Sequence, residues 1–190
     1  MRPRDDGKKE AIFTATIDLL NEIGFANISI SKIAKAAGVS ASTIYIYFEN
    51  KEDMFKKVYL DVKKKMGEAM KEGLAADAPV KKSVFKICRN LLNFIGQHEN
   101  YLLFLEQSSN SPLIAAMHDE EISQLFRPLL AVFEKGVKEK ILKRLPAALL
   151  MGFCYFPIMQ IRKEQCKSQN SFEGLDYEKV FEMCWDAIKA

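Results

Sequence analysis

The segment between residues 41 and 51 carries side chains whose types and spacing suit contacts with nucleic acid. Ser42 and Thr43 offer short donors and acceptors for phosphates or base edges, and Ala41 can contact a thymine methyl group. The hydroxyls of Tyr45 and Tyr47 can reach phosphate oxygens. No Arg, Asn or Gln lies between residues 41 and 47. The segment therefore has no side chain of the types that commonly make bidentate hydrogen bonds to a base. We expect the shape of the DNA to contribute to specificity.

Lysines border this segment. Lys51 lies at the start of a predicted helix, where its ammonium and the N-terminal amides of the helix could share one phosphate. Lys32 and Lys35 lie on the outer side of the preceding short helix. The formal net charge of the whole chain is only +3, which by itself does not indicate nucleic-acid binding. The prediction therefore depends on the geometry of the motif rather than on charge.

Two short helices, over about residues 31–37 and 41–47, position these side chains. Gly38 permits the sharp turn between them, and Ser29 and Ser40 are the predicted N-caps. Apolar side chains point inward from both helices and from the turn: Ile33, Ala34, Ala37, Val39, Ile44 and Phe48. The outer face of the second helix is the one that would enter a major groove, where Ile46 could contact a base methyl or simply pack. On spacing alone, a DNA-binding unit and an ordinary pair of helices in an all-α protein are equally supported.

The rest of the chain also has apolar residues at helical spacing, so the fold is predicted to be all-α. Residues 74–79 indicate a linker or bend, and Pro157 should kink an apolar helix. The first helix carries an apolar stripe, with Thr16 beside it, made of Ile12, Ala15, Leu19, Leu20 and Ile23. Besides the two short helices, helices are predicted over about residues 8–23 (the first helix), 50–73, 80–97, 101–108, 119–142, 146–163 and 177–189.

Composition and spacing exclude several functional classes. Hydrophobic residues make up 48% and charged residues 28% of the chain, as in an ordinary globular protein. The four cysteines show no CxxC spacing, so we expect reduced structural thiols, no metal site and no cofactor. No apolar run is long enough to span a bilayer, and no signal core follows the N-terminus, so we expect a cytoplasmic protein without a membrane partner. No catalytic residues are predicted, because no nucleophile–base set or acid/base pair is visible.

Four motifs between Ala11 and Phe55 together resemble a known family. They are Leu19-Leu-Asn-Glu-Ile-Gly-Phe25, Ile33-Ala-Lys-Ala-Ala-Gly-Val-Ser40, Thr43-Ile-Tyr-Ile-Tyr-Phe48 and Asn50-Lys-Glu-Asp-Met-Phe55. This run closely resembles the N-terminal domain of the TetR family of transcriptional regulators. The resemblance implies DNA contacts at Ser29, Ser31, Ala41, Ser42, Thr43, Tyr45, Tyr47 and Lys51. Family members usually carry a threonine at the position of Ser29, which is a mild departure.

The resemblance also implies a domain organisation. A three-helix, helix-turn-helix DNA-binding domain is expected at residues 1–50, followed by the start of a connecting helix at 51–73. A helical effector-binding and dimerisation domain is expected at residues 74–190.

A ligand cavity between the helices of that second domain is a further implication of the resemblance. The region is rich in large, flexible apolar side chains, most of which an ordinary core would also need. The candidate ligand-binding residues are Phe94, Phe104, Gln107, Met117, Phe126, Met151, Tyr155 and Met159. A pocket of this composition favours a hydrophobic or amphipathic small molecule over a sugar or a nucleotide.

The last two long helices have wide apolar faces. In the family, the corresponding helices of two subunits pair across a twofold axis into a four-helix bundle. The predicted interface residues are Leu149, Phe153, Phe156, Phe181, Cys184 and Trp185. Trp185 is either an interface anchor or a cover on the core of one subunit. A homodimer also fits DNA geometry, because its two recognition helices enter successive major grooves about 34–36 Å apart.

The predicted function is that of a DNA-binding repressor that holds a palindromic operator as a homodimer and leaves it when a small molecule binds. An activating or co-repressed regulator would have the same sequence features. The alternative is a DNA-binding dimer without an effector, regulated by a protein partner or by abundance. An enzyme that uses the helical cavity is disfavoured, since no catalytic constellation is visible.

Overall fold

The structure, a computed structural model, describes residues 6–109, 111–115, 117, 119–166, 172 and 174–190. Within these ranges the regular structure is helical, apart from one 3₁₀ turn and an isolated β-bridge between Leu142 and Lys189. The helices are α1 (Asp6–Ile23), α2 (Ile30–Ala36), α3 (Ala41–Tyr47), α4 (Lys51–Lys71), α5 (Val80–Gln97), α6 (Glu99–Ser109), α7 (Pro112–Ala115), α8 (Asp119–Lys138), α9 (Ala147–Gln165) and α10 (Tyr177–Ile188). The all-α prediction is therefore confirmed.

The chain forms two compact units. The first contains residues 1–62 and 100–118, and the second contains residues 63–99 and 119–190. Helix α4 begins in the first unit and ends in the second. No helix of the described residues is long and apolar enough to cross a membrane.

The core of the first unit is built on α1. The buried face of this helix includes Phe13 and Ile17, whereas Leu19 and Ile23 of the predicted stripe are only half-buried. Thr16, expected beside the core, is buried within it. Its hydroxyl donates to the Ile12 carbonyl at 2.7 Å, so burial leaves the donor satisfied.

Three aromatic rings from separate segments join the same core. The Phe25 and Phe55 rings lie 4.8 Å apart edge to face, and the Phe55 and Phe104 rings lie 5.7 Å apart. Phe104 is fully buried on α6. Phe104 lies more than 40 positions beyond the first turn of α4. The core of the unit that contains the helix-turn-helix segment is therefore completed by a residue from much later in the chain.

Helices α5, α8, α9 and α10 pack together in the second unit. Helix α8 ends at Lys138, so the prediction that it reaches Leu142 is wrong. The amides of Ile141 and Leu142 both donate to the Gly136 carbonyl, at 2.9 and 3.0 Å, and the chain turns back. A Cβ on Gly136 would lie 2.6 Å from Leu142 Cδ1, so this close return requires glycine.

Candidate nucleic-acid interface

The turn between α2 and α3 is closed by its own backbone. Gly38 has φ of 65°, in the left-handed region that favours glycine. The Val39 amide then donates to the Ala34 carbonyl at 2.9 Å. This bond fixes the direction in which α3 leaves α2, so the local sequence sets the geometry of the pair.

The N-terminus of α3 is organised by Ser40, which confirms the predicted N-cap. Its hydroxyl accepts from the Thr43 amide at 3.2 Å. The same oxygen lies 2.8 Å from Ser42 Oγ and 2.8 Å from Thr43 Oγ1. Three neighbouring hydroxyls therefore form one cluster at the end of α3 that a DNA-binding helix would place against the duplex.

The two faces of α3 differ sharply in exposure. Ile44 and the following Phe48 are buried, as predicted. On the outer side, Tyr45 and Ile46 are 58% and 61% exposed. Ala41 and Ser42 are also exposed, and Thr43 and Tyr47 are half-buried. The structure thus places the five predicted residues of α3 on a single short helix, three of them exposed and two half-buried.

The remaining predicted DNA-binding residues lie around α2 and the start of α4. Ser29 is exposed and caps α2, accepting from the Lys32 amide at 3.3 Å, and Ser31 is exposed one residue into the helix. Lys51 is half-buried, and its ammonium donates to the carbonyls of Phe25 and Ile28 at 3.4 and 3.3 Å. The ammonium also lies 4.4 Å from the centroid of the Phe25 ring. Lys51 therefore ties α4 to the 3₁₀ turn at Phe25–Asn27, and one of its three N–H donors lies outside these two bonds.

A second set of contacts holds the start of α4. The Asn50 side chain accepts from the Asp53 amide at 2.8 Å, and the Asp53 carboxylate accepts from the Glu49 amide at 3.0 Å. Lys57 donates to the same carboxylate at 2.8 Å. Burial opposes ionisation of Asp53, but the bonds from Lys57 and Glu49 prevail and lower its pKa. This network fixes the junction between α3 and α4.

The predicted ligand-binding residues are divided between the two units. Phe104, Gln107 and Met117 belong to the first unit, where Phe104 packs on Phe55 and the exposed Gln107 donates to the Asn21 carbonyl at 3.5 Å. The other five belong to the second unit: Phe94, Phe126, Met151, Tyr155 and Met159. Met151, Tyr155 and Met159 recur at fourth positions of α9 and are all half-buried.

Lys63 is a residue that the sequence interpretation missed. Its ammonium lies 5.9 Å from the Phe126 ring centroid and 5.7 Å from that of Tyr155, so a cation lies between two predicted ligand-binding residues. Burial lowers the pKa of Lys63 from its ordinary value of 10.5 to about 8. The signal was present in the sequence, because Lys63 follows Tyr59 by four positions and precedes Met66 by three, on the apolar side of α4.

The predicted interface residues fall into two groups. Leu149, Phe153 and Phe156 of α9 are exposed and border a shallow apolar groove with Gly152 and Pro157. We call these three side chains the α9 apolar face.

The α10 group faces inward instead: Phe181, Cys184 and Trp185 are buried within the second unit. The Phe181 ring lies 4.9 Å from that of Phe85 on α5 and 6.3 Å from that of Trp185. Trp185 is buried, so it covers the core in the single chain. The large apolar side chain that α10 exposes is Met183, at 74%.

A cavity of about 350 Å³ lies between α5, α9 and α10, in the second unit. None of the predicted ligand-binding residues lines it. Its walls are mainly apolar and include Phe85, Leu92, Ile158 and Phe181, with two thiols, Cys88 and Cys184. Three buried cysteines lie on the inward stripes of three different helices: Cys88, Cys154 and Cys184. Their burial could be predicted from the sequence, but the packing of the three helices together in one unit could not. No group of three His, Cys, Asp or Glu side chains in the described ranges is placed to hold a metal ion.

A helix-turn-helix with an exposed second helix, joined to a larger helical unit, defines a class of DNA-binding transcription regulators. The family profile described as "Bacterial regulatory proteins, tetR family" matches residues 12–58. A second profile, "Tetracyclin repressor-like, C-terminal domain", matches residues 79–189, which is more than half of the chain. The chain belongs to the TetR family of transcriptional regulators.

Known proteins of this family are similar over different extents. A TetR family transcription regulator from Marinobacter aquaeolei VT8 has a TM-score of 0.88 and 29% identity, covering 100% of this chain and 99% of that one. The fatty acid metabolism regulator protein of Bacillus subtilis (strain 168) is 37% identical over 91 residues, which are 46% of this chain and 45% of that relative. The transcriptional regulator FadR from Bacillus subtilis, solved in complex with stearoyl-CoA, shares the fold with a TM-score of 0.70 and 20% identity, covering 94% of this chain and 96% of that one.

Proposed function

We propose that this protein is a ligand-released repressor that binds a palindromic operator as a homodimer. The observation that carries the proposal is the division of α3 into a buried side, with Ile44 and Phe48, and an exposed side, with Tyr45 and Ile46. An isoleucine beside a tyrosine on a seven-residue helix, each more than half exposed, contributes little to the packing of the described chain. A major groove would accept both, because thymine methyls and phosphates lie at its floor and rim.

The contacts divide into two kinds. Ser29, Ser31, Tyr45, Tyr47 and Lys51 would contact phosphates and fix the register on the duplex.

Ala41, Ser42, Thr43 and Ile46 would approach base edges and thymine methyls. Because Ser42 and Thr43 already share hydrogen bonds with Ser40, their hydroxyls are held in place before DNA arrives. Few bidentate donors are present, so we expect moderate direct reading and a contribution from DNA shape.

The α9 apolar face supports the homodimer. Phe156 is 69% exposed and lies one helical turn beyond Phe153, which is 49% exposed. Contiguous large apolar side chains of this kind mark a protein–protein contact rather than a solvated surface. We place Met183 of α10 in the same interface, because it is an exposed large apolar residue of the neighbouring helix. A closed twofold pair then presents two α3 helices to the two half-sites of a palindrome.

The effector that we propose is an amphipathic molecule with a fatty-acyl chain. Two similar proteins support this choice, namely the fatty acid metabolism regulator and the FadR structure with stearoyl-CoA described above. The half-buried Met151, Tyr155 and Met159 of α9, with Phe126 of α8, offer a flexible apolar wall for such a chain. The effector would lower the affinity for the operator, and the operator would lower the affinity for the effector by the same factor, because coupling between binding sites is reciprocal.

The DNA proposal is tested by selection from a randomised duplex library, followed by fluorescence anisotropy at fixed salt. We expect a twofold palindrome to be enriched, and Tyr45→Ala to weaken binding to it by about tenfold or more. Lys64→Ala, which removes an exposed lysine of the second unit, is the control for a general loss of positive charge. A folded dimer that enriches no sequence would contradict the proposal.

The effector proposal is tested separately by thermal shift. A ligand that binds the folded protein raises its melting temperature by mass action, and the same ligand should release the operator. Fatty acids and acyl-CoA esters of graded chain length are the first panel. The second candidate, a DNA-binding dimer without an effector, predicts no shift with any of them and unchanged operator affinity.

A further inference from the structure

The cavity of about 350 Å³ in the second unit lies apart from the fatty-acyl site, because none of the described residues that we assign to that effector lines it. Its volume is near the lower end of the range for small-molecule sites, about 300–1,000 Å³. Apolar walls come from Phe85 and Leu92 of α5, Ile158 of α9 and Phe181 of α10. The cavity is therefore large enough for a small organic molecule and would cover its apolar body.

Helices α5 and α10 run antiparallel along this cavity. The Lys81 ammonium lies 5.6 Å from the centroid of the Trp185 ring. Four residues further along α5, the Phe85 ring lies 4.9 Å from the ring of Phe181, which is four residues earlier on α10. The following turns of α5, which begin with Arg89, therefore run towards the first turn of α10.

The polar side chains of the cavity gather where those turns meet. On α5 they are Arg89 and Asn93, and at the start of α10 they are Asp176, Tyr177 and Glu178. All of them except Tyr177 are exposed, so the cavity opens to solvent on this side. We call these five side chains the polar end of the cavity.

The charges around the polar end are balanced. The guanidinium of Arg162 lies 5.2 Å from the centroid of the Tyr177 ring, and the Tyr177 hydroxyl donates to the side-chain oxygen of Gln165. The Lys179 ammonium lies 3.9 Å from the Asp176 carboxylate. Cations therefore stand beside the two carboxylates of the polar end, and neither sign of charge dominates.

The polar end offers both hydrogen-bond donors and acceptors. The Arg89 guanidinium only donates, and the Asn93 amide both donates and accepts. The carboxylates of Asp176 and Glu178 only accept. A ligand carboxylate would be limited to the donors and a ligand ammonium to the acceptors, whereas a hydroxyl group can use both.

We propose that this cavity binds a small uncharged amphipathic molecule with an apolar body and one hydroxyl group, of which an alkylphenol is the simplest example. Its body lies against the rings of Phe85 and Phe181, which favour an aromatic partner. Its hydroxyl lies among Arg89, Asn93 and the two carboxylates at the start of α10. This site goes beyond the proposed function and does not depend on it.

The choice of head group is tested by equilibrium dialysis of the full-length reduced protein with three probes that share one body. They are para-propylphenol, para-propylbenzoate and para-propylbenzylamine, which are neutral, anionic and cationic at neutral pH. We expect one phenol to bind per chain, and each charged probe to bind about tenfold or more weakly, because its head group leaves polar partners in the site unpaired. No phenol binding, or equal binding of the benzoate, would overturn the proposal.

The location is tested with two phenylalanine variants of α10. Val180 lines the cavity, so Val180→Phe should fill it and abolish binding of para-propylphenol. Ala187→Phe adds the same ring at an exposed position of α10 outside the lining and should bind like the wild type. Circular dichroism checks that both variants fold. Undiminished binding by a folded Val180→Phe variant would place the phenol elsewhere and overturn the site.

Thiol labelling of the wild type locates the probe even if the Val180 variant does not fold. Cys88 and Cys184 line the cavity, whereas Cys166 is half-buried outside the lining. At a probe concentration about ten times its Kd, the first two thiols should react with N-ethylmaleimide about tenfold more slowly, as expected from mass action. The rate at Cys166, measured by mass spectrometry in the same digest, should be unchanged. Bound phenol that leaves all three rates unaltered would overturn the assignment to this cavity.

Discussion

The hydroxyl of Ser40 accepts a hydrogen bond from the Thr43 amide at 3.2 Å and lies 2.8 Å from the Thr43 hydroxyl. One residue thus caps α3 and also orients a side chain that we place against DNA. Stability and DNA recognition share this position, and substitutions can separate them.

Replacement of Ser40 by alanine should reduce the free energy of unfolding by about 1 kcal/mol, because the cap of α3 is lost. Operator affinity should fall as well, since Ser42 and Thr43 lose their common partner. Urea unfolding and anisotropy measure the two effects. Ser40→Asn is the control, because asparagine caps a helix about as well as serine and should keep the stability. An alanine variant as stable as the asparagine variant would contradict the prediction.

Gly38→Ala should destabilise the protein by about 1–2 kcal/mol through the backbone alone. Gly38 has φ of 65°, and nothing lies within 4 Å of the position that a Cβ would occupy, so no clash contributes. Gly67→Ala is the matched control. That glycine is helical, and its Cβ would meet the Leu125 carbonyl oxygen at 3.4 Å, an ordinary contact. Chemical denaturation should therefore show a loss for residue 38 and little or no loss for residue 67.

Phe156→Glu should convert the homodimer to a folded monomer. The side chain is 69% exposed in the single chain, so the charge costs little there but is buried without a partner in the proposed interface. Analytical ultracentrifugation measures the mass, and circular dichroism checks the fold. Ile46→Glu changes a residue that is 61% exposed on α3, and should leave the dimer intact while it abolishes operator binding. Equal oligomeric states for the two variants would argue against the α9 apolar face.

Lys63 should make stability depend on pH in the alkaline range. Its pKa is about 8 in the folded protein and near 10.5 when solvated, so the unfolded chain binds more protons between these values. The contribution of Lys63 to the free energy of unfolding therefore increases as pH rises from about 8 to 10.5. Below pH 8 the ammonium is charged in both states, so the free-energy cost of burying it is fully present.

Urea unfolding at pH 7.5 and 9.5 measures this dependence. Lys63→Met should lose it and be more stable than the wild type at the lower pH. Lys64→Met changes the adjacent exposed lysine and should retain the wild-type dependence. A Lys63 variant that follows the wild-type curve at both pH values would show that this ammonium is solvated.

The motif and the inward stripes were predictable because they depend on spacing within a few helical turns. Ser29 and Ser40 cap the helices that their sequence positions predict, and Ile44 and Phe48 are buried as expected. Side-chain direction was harder to predict. The sequence predicts that Lys51 contacts phosphate. In the structure its ammonium is bonded to the carbonyls of Phe25 and Ile28, which only the fold of the chain brings near.

Long-range features could not be predicted from the sequence, because they too depend on the fold of the chain. The end of α8 at Lys138 depends on the return of Leu142 over Gly136, and apolar periodicity carries no information about such a contact. Helical periodicity assigns a residue to a face, and only the packed fold determines which faces meet.

The contact of Phe104 with Phe55 bears on how the nascent chain acquires its shape on the ribosome. The helix-turn-helix is synthesised first, yet the aromatic residue that covers Phe55 lies on α6, about 50 residues later. Until α6 emerges from the exit tunnel, Phe55 lacks that cover and exposes apolar surface to other chains and to chaperones. A fragment that stops before residue 100 would lack this cover permanently, so we expect truncation after α4 to leave an exposed apolar surface at Phe55.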